Sequence, residues 1–164
     1  MRHRLRQGLS ALVVSDAATL PAPLGEMPRT TRLFSALAPH DRRHLVAVHR
    51  ACIANGLSLE MTMAGLLHDV GKASLSGRRV TVLDRSVRVV LARWRPELLV
   101  RLCRVPTPAW RLGLVLANEH ATLGAGRLAA LGWPDSIVTA VREHQSDSPK
   151  GGLATLRRID DTTP

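Results

Sequence analysis

The sequence predicts an all-α protein, a compact single domain built as a helical bundle. After Pro39 apolar residues recur at helical spacing, punctuated by Gly, Pro and capping residues. The β-branched clusters Val80-Thr-Val-Leu83 and Val87 to Leu91 have no hairpin signal to connect them. The 164 residues, 45% hydrophobic and 22% charged, hold no internal repeat and suffice for one real core.

Residues 1–38 read as a basic, proline-containing extension, with short helices near residues 3–13 and from Thr31 to Leu37; residues 39–164 read as the domain itself. Asp41 is the expected N-cap of a helix running to Asn55-Gly56, where glycine supplies the stop. Ser58 caps the next helix, which carries Met61, Leu66, Leu67 and the pair His68-Asp69 and stops at Gly71. A helix follows from Val80 to Trp94, ended by Pro96, then a shorter one from Glu97 to Cys103. Pro106 and Pro108 mark a loop. Trp110 to Ala117 and Thr122 to Leu131 read as two helical pieces. Gly132-Trp-Pro134 breaks the chain, Asp135 caps a helix to His144, and Leu153 to Asp161 closes the pattern.

Bulk properties exclude several classes. No apolar run approaches the roughly 18 residues of a membrane span. The apolar stretch Leu9 to Val14 is too short for a secretory core and is cut by Ser15-Asp16, so a cytoplasmic address is expected. Cys52 and Cys103 form no metal-ligand pair and are expected as small, reduced hydrophobes. The net charge of +10 comes from 21 arginines and 2 lysines, a skew that fits a GC-rich genome. It would still steer anionic substrates and attract nucleic acid non-specifically. One Phe, three Trp and no Tyr leave no stacking platform for specific single-strand binding.

Six polar residues carry the chemistry. His68-Asp69 ends an apolar helix, where a buried carboxylate costs several kcal/mol unless paired or metal-bound. No lysine or arginine lies within the preceding turn to pair with it. His44 stands 24 residues upstream in Asp41-Arg-Arg-His-Leu-Val-Ala-Val48. His49, five residues on, points about 140° away, so the two do not face one site. For His49 and His40 packing or surface roles are expected. His120 lies in Glu119-His-Ala-Thr-Leu-Gly-Ala-Gly-Arg-Leu128, His144 in Ile137-Val-Thr-Ala-Val-Arg-Glu-His-Gln145, and Asp160 in Leu156-Arg-Arg-Ile-Asp-Asp161, with Asp161 as the alternative. Imidazoles suit iron, zinc and nickel, and carboxylates suit harder ions such as manganese.

The segment Ala64-Gly-Leu-Leu-His-Asp-Val-Gly-Lys72 resembles the central motif of the HD superfamily of metal-dependent phosphohydrolases. The order H…HD…H…H…D over residues 40–161 resembles the two-metal members acting on nucleotides and dinucleotides. The Gly-Tyr-Pro extension of the cyclic-dinucleotide phosphodiesterases is absent, and Gln145 stands where they double the histidine. The resemblance implies a divalent transition metal (iron, manganese, zinc or nickel), as one ion or two. His44, His68 and Asp160 would hold one ion and His120 and His144 the other, with Asp69 bridging. It implies hydrolysis of a phosphoester or phosphoanhydride by a metal-activated water, on a small phosphorylated substrate, a nucleotide. Asp69 and Lys72 are its catalytic candidates; Lys72 is equally explained as a helix-terminal cation. Arg78, Arg79 and Arg85 are candidates for a phosphate-facing cluster. The alternative is a regulatory HD module that binds metal and nucleotide, or a protein partner, with little catalysis. No membrane partner is expected, and the oligomeric state is left open.

Overall fold

Proline opens three helices in this protein, and left-handed glycines follow the ends of two. The computed structural model describes residues 27–73, 80–104 and 107–164. Helix α1 is Pro28–Ser35, α2 Pro39–Ala54 and α5 Pro96–Leu102, each with proline in its first turn. There the missing N–H costs no bond. Gly56 (φ 67°) follows α2, and Gly132 (φ 78°) follows α6, Leu112–Ala130. Between them lie α3, Leu59–Leu67, and α4, Val82–Trp94; α7, Asp135–Glu143, and α8, Gly151–Thr162, complete the order. Short 3-10 turns occupy Val70–Lys72 and Ala109–Arg111. The protein is all-α, with no strand among the described residues.

Capping explains several boundaries and corrects others. Ser58 accepts the Met61 N–H at 3.3 Å, as expected of the α3 N-cap. Asp41 is not a cap: α2 starts two residues earlier, because Pro39 pre-sets the helical φ, and Asp41 is buried in the first turn. Asp135 likewise makes no capping bond and follows the N-cap Pro134. Trp110 to Ala117 and Thr122 to Leu131 are not separate pieces. With no proline or glycine between Ala117 and Thr122, α6 runs through His120 unbroken.

The core forms around α3, whose residues 62–67 are all buried, as a helix enclosed on every side must be. It packs on α2, α7 and α8, with Leu45, Leu66, Leu67, Leu128, Val141 and Leu156 at the centre. A fully buried aliphatic side chain of this kind contributes about 1.5–3 kcal/mol. Phe34 and Leu37 belong to the same core, and the Trp133 indole N–H donates to Thr30 at 3.2 Å. Helix α1, on the N-terminal side of residue 38, thus packs into the same core. The short helix near residues 3–13 lies outside the described residues. No helix among the described residues is long and apolar enough to cross a membrane.

Candidate metal centre

Five elements deliver the six residues to one place. His44 stands early in α2, and His68 terminates α3, with Asp69 next to it at the entry to the 3-10 turn. His120 comes from the middle of α6, His144 from the end of α7 and Asp160 from the last turn of α8. The imidazoles form a row: ring centroids are 5.7 Å apart for His44–His68, 5.0 Å for His68–His144 and 5.4 Å for His144–His120. His68, Asp69, His120 and His144 are buried, and Asp160, with a side chain 29% exposed, marks the open end. Asp161 points away to Arg157 and is exposed. His49 lies outside the row, its Nδ1–H donating to the Thr62 carbonyl oxygen at 3.2 Å.

Three of the rings are oriented by one device. Nδ1–H donates to the carbonyl three residues back: His68 to Gly65 at 2.9 Å, His120 to Ala117 at 3.0 Å, His144 to Val141 at 2.7 Å. A proton committed to Nδ1 leaves the Nε2 lone pair of the neutral ring facing inward, the arrangement that orients metal-binding histidines.

Asp69 turns one oxygen each way. Its Oδ2 lies 3.6 Å from His68 Nε2 and its Oδ1 3.3 Å from His120 Nε2. Asp160 Oδ1 is 2.7 Å from His44 Nε2 and 3.3 Å from His68 Nε2. Donors at about 2.1 Å from one ion stand roughly 3.0–3.4 Å from each other in octahedral or tetrahedral arrangement. Two sets could each hold an ion after small side-chain adjustments, His44/His68/Asp69 and Asp69/His120/His144, with all donor atoms within 4.8 Å in either set. His144 Nε2 supplies the decisive test of fit: it is buried and has no hydrogen-bond partner. Such a lone pair costs about 1–3 kcal/mol unless something meets it, and a divalent cation is the group that this donor set accommodates.

Charge divides the row. Burial disfavours a charged His68, yet the Asp160 and Asp69 carboxylates outweigh it and push its pKa up to about 9. Burial dominates at the other end, bringing His120 down to about 3 and His144 down to about 4. Burial also opposes ionised Asp69 and Asp160, but Lys72 holds Asp69, and His68 holds Asp160, well below the ordinary carboxylate range.

Lys72 is neither exposed nor pointed at solvent. Its ammonium is ion-paired with Asp69 Oδ2, and this is the partner that the preceding turn lacked. Arg85 is also committed: it bridges α4 to α2 by donating to Asp41 at 2.7 Å and to His40 Nε2 at 2.8 Å. Of the expected Arg78/Arg79/Arg85 cluster, Arg85 is engaged in this way and Arg78 and Arg79 lie outside the described residues.

Two supporting residues escaped sequence reasoning. Gln145 donates to His120 Nε2 at 2.8 Å, though in the sequence it reads only as the place of a missing histidine. Arg127 donates to the carbonyls of Val70 and Gly71 at 3.3 and 3.4 Å, and to Ala73, so α6 braces the turn that follows Asp69. Gly71 lets that turn touch α6: a Cβ there would collide with the His120 carbonyl and lie 2.7 Å from the Gly124 nitrogen. A cavity of about 770 Å³ opens beside Ser58, Glu143, Ser146 and Lys150 and includes none of the six donors. The donors, rather than that hollow, define the centre.

Comparison with protein-family models, with curated proteins and with solved structures returns no match.

Proposed function

We propose that this chain is a metal-dependent phosphohydrolase of the HD type, cleaving a phosphoester or phosphoanhydride bond of a nucleotide or dinucleotide. One observation carries the reading: Asp69 turns its two oxygens to opposite halves of a row of four imidazoles, three of them buried. Beside that carboxylate the buried Nε2 of His144 has no hydrogen-bond partner, a cost that a purely structural cluster would keep and a bound ion would remove.

When bound, the divalent ions supply Lewis acidity toward phosphoryl oxygens and a water nucleophile at neutral pH. His44, His68 and Asp160 would hold one ion, His120 and His144 the other, with Asp69 shared. The mixed imidazole and carboxylate set suits iron, manganese, zinc or nickel. The chain's own contribution is positional. The backbone carbonyls of Gly65, Ala117 and Val141 keep three rings aimed inward without reorganisation. Lys72 neutralises Asp69 and, once a cation takes over that role, its ammonium is available to a substrate phosphate. The net charge of +10 draws an anionic substrate in.

The test is a nucleotide screen on protein loaded with manganese or iron, with His68→Ala and Asp69→Ala alongside. Metal-dependent release of phosphate or a nucleoside phosphate is expected, with both variants inactive. Full activity in either variant ends the proposal. Tight nucleotide binding without turnover at saturating metal would assign the regulatory reading instead.

A further inference from the structure

A surface helix of a globular protein turns its apolar stripe inward. Helix α4 does the reverse. Leu83, Val87, Val90 and Trp94 recur at i, i+4, i+7 and i+11 and so share one face. That face looks outward, with the four residues 71%, 38%, 57% and 72% exposed. Asp84, Arg85 and Arg88 are turned toward the protein and half-buried. Thr81 and Asp84 close a capping box at the helix start, while Arg85 ties the inner face to Asp41. Not one residue of α4 is buried. The helix is held by its polar side and presents its apolar side.

We propose that this stripe is the interface of a homodimer, with α4 packed antiparallel on α4 of a second copy. The spacing is the first argument. A 4-3-4 seam of aliphatic residues ending in tryptophan is the pattern by which one helix receives the side chains of another. Area is the second. The four side chains of the stripe expose on the order of 500 Å² of largely apolar surface, a size suited to the apolar centre of an interface of roughly 800 Å² per partner. Charge is the third. No charged residue interrupts the seam, and Arg93, stacked over Trp94 at 5.3 Å, lies at one end of it. Antiparallel pairing sets Leu83 on Trp94 and Val87 on Val90, keeping the two Arg93 residues about 13 Å apart along the axis, beyond the Debye length at physiological salt. A parallel pair would stack Arg93 on Arg93 and Arg95 on Arg95. The inference does not rest on the metal centre or on catalysis.

Sedimentation velocity over a wide concentration range tests it. The wild-type chain sediments as a dimer that dissociates on dilution. Val90→Asp, at an exposed position, leaves helical content, and the urea midpoint measured at dilutions where both proteins are monomers, unchanged and weakens dimerisation at least about a hundredfold, the loss expected of a charge at an interface centre. Ile53→Asp, equally exposed on α2, leaves the dimer intact. A monomeric wild type, or a dimer indifferent to Val90→Asp, overturns the proposal. Binding of that monomer to phosphatidylglycerol vesicles, lost in Val90→Asp, would assign the stripe to an anionic lipid surface instead.

Discussion

His68 and His144 have ring centroids 5.0 Å apart and the same Nδ1 anchor, yet their proton affinities move in opposite directions. His68 faces two carboxylates. The Nε2 of His144 has no hydrogen-bond partner. The contrast shows that residue type does not set the chemistry of a ligand row: His68 lies against both carboxylates, at 3.3 and 3.6 Å, whereas burial and then the charge of His68 itself govern His144. At the Asp160 end a proton on His68 offsets the negative charge that a cation would otherwise meet. At the His120 end neutral imidazoles stand ready without competition from protons, but with only one shared carboxylate to attract an ion.

Gly71→Ala breaks the comparison most severely, because Gly71 holds the two halves in register. Overpacking of backbone against backbone there is expected to cost about 3 kcal/mol or more, seen as a fall in the urea midpoint, with metal binding lost from both halves. An unchanged midpoint would show that the turn and α6 are not in the contact described.

Selective variants sharpen it. Elemental analysis and calorimetric titration of metal-free protein should show two classes of site, the tighter in the half holding Asp160. His120→Ala/His144→Ala removes the weaker class and reduces two equivalents to one. Asp160→Ala removes the tighter class. Equal loss of both classes in each variant would merge the halves into one site.

Acidity separates the halves without mutation. His120 and His144 titrate below the unfolded value of 6.5, so their contribution to stability is full above about pH 6.5 and falls as pH drops toward 4 and then 3. His68 titrates above that value, so its contribution is full below about 6.5 and is lost as pH rises through about 9. Denaturant midpoints of metal-free protein should therefore peak near pH 6–7, by the sum of these two trends. Manganese should flatten the alkaline limb, because the ion takes the place of the His68 proton. A midpoint rising steadily to pH 9 without metal would contradict the charge on His68.

The smallest effect is at Gln145. Its hydrogen bond to His120 Nε2 competes with a metal, and a bond worth about 0.5–1.5 kcal/mol corresponds to a roughly 2–12-fold change. Gln145→Ala is expected to tighten the weaker class of site by that factor in the same titration and to leave the tighter class alone.

Local rules made much of this protein legible in its sequence. Helical periodicity, the Ser58 cap and the stops at Gly56 and Gly132 act within about four residues, the reach of one helical turn, and they announce the all-α class and most element boundaries. The same angular rule separates His44 from His49, since five residues rotate one away from the other. It also says that Asp160 and Asp161 diverge by about 100°, without saying which of them faces inward. Only packing decides that, because the contact between His44 and Asp160 joins residues 116 apart in the chain. Gln145 on His120 and Arg127 on the turn beyond Asp69 were equally hidden, each depending on how a helix end lies against its neighbour, whereas Lys72 on Asp69 is a local pair three residues apart. Helix α4 states the division most plainly. Its residues dictate an amphipathic helix, but an ion pair from Arg85 to Asp41 on another helix turns the polar face inward. A periodic pattern defines two faces, and the tertiary structure alone chooses which of them meets water.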